Sequence, residues 1–264
     1  MRLTSEQTQL DALAVFSAFP VISLEEIEGL KLLNRTDTKF ILPMSEVKEV
    51  FNQLPASYCV LEVVSTILQT YETLYFDTDD YKSYSEHQAG FLNRIKIRRR
   101  KYMDTDSVFW EVKLKNNHRK TEKFRLPGSG DSLEIPEICL DFAEKNARYP
   151  VKKMAPSLWV RFQRIILASY EFQERVTVDL NLGFQVYPDG KMTQLSDLVV
   201  LELKQPLNAK ASPLFHNLRQ RHHLSSSMSK YCVGMVFSHP ELKANAFKPL
   251  LRNISSITNP ESIQ

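Results

Sequence analysis

A run of alternating cations is the feature of the sequence that could most directly do chemistry. A basic residue stands at every second position of the run, and these residues are Arg94, Lys96, Arg98 and Arg100. Because side chains alternate faces along a strand, all four would share one face, with Ile95 and Ile97 on the other. Like charges on one face repel each other unless an anion lies among them. The run therefore predicts a site for a polyanion, with a solvated edge strand that blocks aggregation as the alternative.

The two strand-like runs that follow carry a similar pattern of charge. Runs at 92–102, 108–116 and 119–126 are separated by turn-forming residues, which predicts an antiparallel meander. The polar positions that share a face in the second and third runs are Glu111, Lys113, Lys115, Lys123 and Arg125. Only one of three neighbouring strands can be an edge, so edge protection does not account for all of them. We expect these faces to line one interior, and Arg99 and Lys101, on the opposite face, to be solvated.

Strand and helix patterns over the rest of the chain predict an α+β fold. Further strands are expected at 34–42, 58–76, 158–169, 174–181 and 198–204, and helices at 4–18, 23–33, 45–54, 79–87, 137–148, 211–221 and 227–237. The tail beyond residue 240 shows little periodicity. About eight antiparallel strands close into a barrel that holds side chains or one elongated ligand. Charged inner faces cannot be dry, so we expect an antiparallel β-barrel that forms a charged, hydrated tunnel with flanking helices.

The charge of the chain is concentrated rather than spread. Residues 94–125 carry twelve Lys or Arg against four Asp or Glu, whereas the whole chain has a net charge of +3. A localised positive field suits a focused anion site. The three cysteines form no CxxC pair, and no apolar run approaches the roughly 20 residues that span a bilayer. We therefore expect a cytoplasmic protein without a transmembrane segment.

A series of short motifs, in order over roughly residues 30–252, resembles one known family. The motifs are Asn34-Arg35-x-Asp37-x-Lys39-Phe40, Tyr75-Phe76-Asp77, Arg94 to Arg100, Glu111-x-Lys113, Lys120 to Arg125, Arg164, Arg175-x-x-x-Asp179, Glu202-Leu203-Lys204, Ser229-Lys230-Tyr231 and Phe247-Lys248-Pro249-Leu250-Leu251-Arg252. Each motif alone is weak, but their order makes the signal strong. The chain resembles the polyphosphate polymerase domain of the vacuolar transporter chaperone (VTC) group, within the triphosphate tunnel metalloenzyme superfamily.

The resemblance implies a tunnel domain at 30–240, preceded by a helical segment at 1–29 and followed by a tail at 241–264. In polymerase members, the terminal phosphate of ATP passes to a growing inorganic polyphosphate chain in the tunnel, and ADP leaves. The residues that the resemblance assigns to catalysis are Lys39, Arg98, Arg100, Arg164, Arg175 and Lys230. The further phosphate-binding residues would be Arg35, Arg94, Lys96, Lys113, Lys123, Arg125 and Lys204. Mn²⁺ or Mg²⁺ would be held by Glu202, with Glu111 as a second candidate, because both metals prefer carboxylate and water oxygen.

One departure from the superfamily pattern bears on the activity. Members that hydrolyse triphosphate usually begin with Glu-x-Glu-x-Lys, whereas this chain has Arg35-x-Asp37-x-Lys39. Arg35 stands where the pattern has its first Glu, which weakens a multi-carboxylate metal site and favours the polymerase branch of the superfamily. A triphosphatase and a non-enzymatic polyphosphate-binding module are the alternatives. Nucleic acid is not expected as a partner, since the cations do not interleave with exposed aromatic residues. Any export of product would need a separate membrane protein.

Several residues keep two interpretations at this point. Glu202 could bind a metal ion or simply pair with Lys204, which lies two positions away on the same strand face. Asp77 and Asp179 could orient other groups of the site or sit in ordinary turn or strand-end roles. The aromatic residues Trp110, Trp159, Phe162 and Tyr231 are expected to form core rather than a platform for a nucleobase.

Overall fold

A computed structural model of the chain describes residues 5–30, 35–116 and 121–258. The helices are α1 (Ser5–Ala14), α2 (Leu24–Glu28), α3 (Val47–Phe51), α4 (Lys82–Gln88), α5 (Glu137–Glu144), α6 (Pro213–Gln220), α7 (Lys230–Ser238) and α8 (Lys248–Ile257). The strands are β1 (Val21–Ile22), β2 (Arg35–Pro43), β3 (Cys59–Leu61), β4 (Gln69–Asp77), β5 (Arg94–Tyr102), β6 (Ser107–Lys115), β7 (Thr121–Gly128), β8 (Ala155–Ser169), β9 (Glu174–Val186), β10 (Met192–Leu195), β11 (Leu198–Pro206) and β12 (Ser225–Ser226).

All of these strands belong to one sheet. Its main path runs β12-β2-β11-β9-β8-β4-β5-β6-β7, with β1, β3 and β10 paired beside it. Neighbours pair antiparallel except for β1 and β3, which are parallel. Among the described strands the hydrogen-bonded path has two ends, at β12 and at β7. The predicted antiparallel α+β fold with flanking helices is confirmed, whereas closure into a complete barrel stays a prediction.

The period of two along the strands separates an outer apolar face from an inner face. On β2, Phe40 and Leu42 pack outward in a cluster with residues of α1 and α3. On β5, Ile95 and Ile97 pack outward in a second cluster with residues of α5. Helices α1, α3 and α5 therefore share a core with the outer face of the sheet. The opposite, concave face carries the alternating cations, as the sequence predicts.

Helix α7 fills one end of the concave face. Its residues Tyr231, Cys232 and Val233 are buried in a cluster with concave-face side chains of β8, β9 and β11 and with residues of α8. Gly234 permits this close approach, because a Cβ at this position would clash with Phe184 and lie 2.6 Å from Leu158 Cδ2. The concave face is thus apolar and covered at one end, so a hydrated interior is expected only in the charged remainder.

The structure bears out some sequence-based expectations and corrects others. Ser23 and Glu26 form a capping box at the start of α2, where a helix was expected to begin, since each side chain accepts a hydrogen bond from the other residue's backbone N–H. That helix ends at Glu28, and the position expected for its end, Leu33, lies outside the described residues. The tail, expected to be irregular, contains α8, whose Leu250 and Ile254 are buried. Of the four aromatic residues expected in the core, three are fully buried and Trp159 is partly buried. No helix within the described ranges is long and apolar enough to cross a membrane.

Candidate anion-binding site

The charged part of the concave face, called the cationic face below, collects most of the predicted site residues. Strand register places them side by side: Lys39 lies opposite Glu202, Arg98 opposite Glu111, and Lys96 opposite Lys113. The cationic face comprises Lys39, Lys96, Arg98, Arg100, Glu111, Lys113, Lys123, Arg125, Arg164, Asp179, Glu202, Lys204 and Lys230. Three of these residues are carboxylates, and each carboxylate holds at least two cations.

Glu202 is the carboxylate of the first cluster. Its Oε1 pairs with Lys39 on β2, and its Oε2 accepts from Lys204 Nζ at 2.5 Å. Burial alone would raise the pKa of Glu202, but the charges of Lys204 and Lys39 outweigh it and hold the pKa well below its usual range. Glu202 is therefore ionised at neutral pH. The pairing with Lys204 considered from the sequence is present, and it leaves the metal-binding interpretation of Glu202 open.

Glu111 is the centre of the second cluster, and its side chain is only 1% exposed. Its Oε2 lies 2.6 Å from Arg98 Nη2, its Oε1 pairs with Lys123, and Arg125 Nε is 3.8 Å away. Burial would raise the pKa of this carboxyl, but the positive charges of Arg98, Arg100 and Lys123 lower it strongly. A buried carboxylate surrounded by cations fixes their positions, so Glu111 serves first as an internal counter-ion.

Asp179 is the centre of the third cluster, a role that sequence reasoning left open. Arg164 donates to both of its oxygens, at 2.5 and 2.8 Å, and Lys230 also pairs with Oδ2. Burial would raise the pKa of Asp179, but Arg164 and Lys230 hold it well below its usual range. Lys230 is the first residue of α7, whose N-cap Ser229 accepts from the N–H of Cys232. The cluster thus anchors the start of α7 to the sheet.

Three further cations have no carboxylate within 4.0 Å among the described residues, namely Lys96, Arg100 and Lys113. Lys96 donates to Ser229 Oγ at 2.7 Å, and Arg100 Nε donates to Thr73 Oγ1 at 3.1 Å. Burial together with the charges of Arg98, Lys39 and Lys96 lowers the pKa of Lys113 to about 8. The charge of Lys39 on β2 acts on Lys113 on β6. These two strands are far apart in the sheet path and therefore face each other across the concave face. This part of the molecule holds more positive charge than its own carboxylates balance.

Tyr75 belongs to the same face and was missed from the sequence. Its hydroxyl accepts a hydrogen bond from Arg98 Nη1 at 3.0 Å, and its ring stacks on Tyr231 at 5.0 Å between centroids. Burial would raise the pKa of Tyr75, but Arg98, Arg100 and Lys96 lower it to about 8. The available signal was its position in Tyr75-Phe76-Asp77, but only the register that places it opposite Arg98 shows its role.

Asp77, the other residue whose role the sequence left open, connects helices to the sheet and is not part of the cationic face. Its carboxylate accepts from the backbone N–H groups of Thr78, Ser83 and Tyr84, at 2.8 to 3.0 Å. It also accepts from the hydroxyl of Tyr231. One buried carboxylate therefore ties β4, the first turn of α4 and the first turn of α7 together.

Three predicted phosphate ligands have other partners in this structure. Arg175 shares the concave side of β9, but its Nη2 donates to the carbonyl of Ile27 in the last turn of α2 at 2.6 Å and to that of Leu30, just after α2, at 3.1 Å. Arg35 pairs with Asp37 at 2.9 Å near the end of β2. Arg94 donates to the carbonyl of Phe91 at 3.0 Å. These cations lie at the margin of the site, and Arg175 anchors the residues after α2 to the sheet.

The expectation that Arg99 is solvated is wrong. Its side chain turns to the outer side as predicted, but it is 4% exposed and donates to the carbonyl of Gly130. The loop after β7 covers this position, which a single-strand pattern does not reveal. Lys101 is partly exposed and pairs with Asp106 at 2.7 Å, so the expectation of a surface position is closer for this residue.

The carboxylates of the site set limits on how a metal ion could be held. No group of three or more His, Cys, Asp or Glu side chains suitable for a metal occurs in the described ranges. Mg²⁺ in nucleotide sites is often held by one or two carboxylates together with phosphate oxygens. Glu202 fits that mode, because its carboxylate is ionised, 17% exposed and adjacent to the cations that would hold phosphate. Glu111 fits it less well, because its carboxylate is buried beneath Arg98 and Lys123.

Fold and site together define an antiparallel α+β protein with a cation-rich concave face. A family model supplies the more specific assignment: the VTC domain matches residues 34–239. The chain therefore belongs to the VTC domain family. No curated protein matches this sequence.

Solved structures show only remote likeness. A candidate adenylate cyclase from Vibrio parahaemolyticus is 12% identical, covering 77% of this chain and 99% of that chain, with a TM-score of 0.44. A candidate adenylyl cyclase from Hippeastrum, described as having a dominant triphosphatase activity, is 14% identical, covering 75% and 93%, with a TM-score of 0.41. The assignment to a family depends on the VTC match and not on these structures.

Proposed function

We propose that this protein is a metal-dependent polyphosphate polymerase that transfers the terminal phosphate of ATP to a growing inorganic polyphosphate chain. The observation that carries the proposal is the surplus of positive charge on the cationic face. Three carboxylates are already neutralised by cations, and Lys96, Arg100 and Lys113 still have no carboxylate partner in the described part of the chain. A linear chain of phosphates would supply the missing negative charge at regular intervals.

The arrangement suits phosphoryl transfer because that reaction depends mainly on positioning and charge neutralisation. The bond from the γ-phosphorus to the β,γ-bridging oxygen breaks, and a terminal oxygen of the polyphosphate chain forms the new bond to phosphorus. Lys39, Arg98 and Lys113 would hold the transferred group, with Arg100, Arg164 and Lys230 on adjacent phosphates. Glu111, Asp179 and Glu202 keep these cations in fixed positions before the ligand arrives, which limits the reorganisation cost of binding.

A divalent ion is part of the proposal, with Glu202 as its protein ligand and Mn²⁺ or Mg²⁺ as the metal. Such an ion would supply positive charge that neutralises the phosphate groups during transfer. Glu202 would hold the metal ion beside Lys39 and Lys204, and these two lysines would contact phosphate oxygens. Arg35, Arg94, Lys96, Lys123, Arg125 and Lys204 would extend the phosphate-binding surface, and Arg175 would act indirectly by anchoring the residues after α2. A cytoplasmic location and a separate membrane partner are further parts of this proposal.

The direct test incubates the purified protein with ATP and either Mn²⁺ or Mg²⁺ and separates the products on a gel. We expect acid-labile phosphate chains and ADP in wild type, and a loss of both in Arg98→Ala. Glu202→Gln should lose turnover while retaining inorganic tripolyphosphate binding in the absence of metal. Release of orthophosphate without chain growth would identify a triphosphatase. Binding of polyphosphate with intact ATP would identify a binding module, and either result would refute the polymerase.

A further inference from the structure

A cavity of about 520 Å³ lies outside the cationic face, beside α4. Residues of α4, the segment after α5 and the segment before α8 form its walls. The hydroxyl of Tyr84 donates to the carbonyl of Lys243 at 3.0 Å, which ties two of these walls together. Pockets of this size hold small organic ligands, most often between apolar walls with a few polar groups.

Glu86 is the unusual group in this cavity. It lines the cavity and is 6% exposed, yet its Oε2 has no hydrogen-bond partner in the described part of the chain. No Lys, Arg or His nitrogen of the described residues lies within 4.0 Å of its carboxyl group. A buried carboxyl oxygen without a hydrogen-bond donor costs stability, so its presence calls for an explanation such as a ligand. Burial also raises the pKa of Glu86 above its usual value.

The remaining walls restrict what the ligand can be. Aromatic rings of Tyr84, Phe91 and Tyr149 line the cavity, and Phe91 is 47% exposed. Arg148 places its guanidinium 5.3 Å from the centroid of the Phe91 ring, and Lys243 also lines the cavity. Lys82 lines it too, although its ammonium already pairs with Asp80 at 2.8 Å. Cationic groups repel an amine ligand but attract an anion. The complementary ligand is flat, has neutral N–H donors for Glu86 and carries a negative group for the cations.

We propose that the cavity beside α4 binds a nucleotide, with an amino-bearing base against Glu86 and Phe91 and the phosphate toward Lys82, Arg148 and Lys243. This site is separate from the cationic face, although the two adjoin: Arg94 of β5 donates to the carbonyl of Phe91 at 3.0 Å. The proposal does not depend on polyphosphate synthesis. The bound group could belong to a free mononucleotide or to an ATP substrate, and both present an amino-bearing base next to a phosphate.

The test is isothermal titration of the full chain with AMP after inorganic tripolyphosphate has saturated the cationic face. We expect one AMP per chain and at least tenfold weaker binding of UMP, whose base has no amino group. Glu86→Leu should weaken AMP binding at least tenfold while leaving the melting temperature unchanged or higher, because a buried unpaired acid is replaced by an apolar group of similar size. Phe91→Ala, at a half-exposed position, should weaken AMP binding without unfolding the protein.

Lys113→Ala is the matched control. It should weaken tripolyphosphate binding and leave AMP binding unchanged. Absence of AMP binding to wild type at millimolar concentration, or unchanged AMP affinity in both Glu86→Leu and Phe91→Ala, would overturn the proposal. The KM for ATP separates the two sources: an increase in Glu86→Leu indicates the nucleoside part of the substrate, and an unchanged value indicates a free nucleotide. A failure of polyphosphate synthesis would leave the AMP result intact.

Discussion

Arg164 and Asp179 lie opposite each other on β8 and β9 and form a two-point contact, with Nε to Oδ1 at 2.5 Å and Nη2 to Oδ2 at 2.8 Å. Asp179 is 2% exposed and also pairs with Lys230. The pair therefore links two strands of the sheet to the start of α7. In this contact, the carboxylate oxygens of Asp179 accept hydrogen bonds from guanidinium N–H groups of Arg164 that a phosphate would otherwise use.

Asp179→Asn should reduce stability and increase the response to ligand. Removal of the charge leaves Arg164 and Lys230 as unpaired buried cations, which costs about 3 kcal/mol. Inorganic tripolyphosphate should restore part of that loss, so its stabilising effect should be larger in the variant than in wild type. Thermal unfolding with and without tripolyphosphate measures both effects. Asp106→Asn, at a surface pair, is the control and should change stability by less than about 0.5 kcal/mol. Equal melting temperatures for wild type and Asp179→Asn would contradict the buried role.

Arg98→Ala should weaken tripolyphosphate binding by about 10- to 100-fold, because a charge-assisted contact contributes about 1.5–3 kcal/mol. Lys101→Ala, on the outer side of the same strand, should leave the affinity within about twofold. Isothermal titration at constant salt compares the two. Arg99→Ala is not a silent control, because Arg99 is buried against the loop at Gly130 and its loss should lower the melting temperature. Similar losses of affinity in Arg98→Ala and Lys101→Ala would contradict the face assignment.

Anion affinity should fall as pH rises above about 8. Lys113 has a pKa lowered to about 8, so it is charged below that pH and neutral above it. A bound phosphate raises this pKa, and the affinity for tripolyphosphate should decrease about tenfold between pH 7 and pH 9. Lys113→Arg stays charged and should flatten the profile.

Tyr75 adds a second contribution to the same pH range, since its pKa is also lowered to about 8. Its ionised form carries negative charge and would repel phosphate. Tyr75→Phe in the Lys113→Arg background should therefore remove most of the remaining decrease. Proton uptake on binding, measured by titration in buffers of different ionisation enthalpy, checks the sign. A profile in wild type that matches that of the double variant would refute both assignments.

Gly234→Ala should loosen the packing of α7 on the sheet. The added Cβ would meet Phe184 and Leu158, and overpacking of this kind costs about 1–3 kcal/mol. Displacement of the helix also moves Lys230 away from Asp179, so tripolyphosphate affinity should fall as well. Ser238→Ala, at the other end of α7, should change neither quantity appreciably. Unfolding curves and titrations test the coupling, which would be wrong if Gly234→Ala lost stability without losing affinity.

The sequence was sufficient for features that depend on one strand or one turn. The spacing of Lys96, Arg98 and Arg100 identified the side chains that share the concave side of β5, because strand alternation is local. The Ser-x-x-Glu spacing at Ser23 and Glu26, which forms a capping box, is a local signal of the same kind. The pairing of distant strands is not supplied by any local pattern.

Features that depend on long-range packing could not be predicted. Arg175 lies on the expected face, yet it donates to carbonyls at the C-terminal end of α2, a contact between residues almost 150 positions apart. Tyr75 became part of the site only through its register with Arg98. The cover over Arg99 comes from a loop after β7. In each case the deciding partner is remote in sequence and unmarked by composition.

The position of α7 bears on how a polymer would be handled. Tyr231, Cys232 and their apolar neighbours fill one end of the concave face. The charged part is therefore closed at that end and is not a channel that is open at both ends. If polyphosphate is the ligand, its terminus would enter this closed-ended face, and long internal stretches of a chain would make fewer contacts with it. After each phosphoryl transfer, the polyphosphate chain would then have to move outward by one phosphate before the next transfer. The length of the product would depend on how often the chain moves outward by one phosphate and how often it dissociates completely.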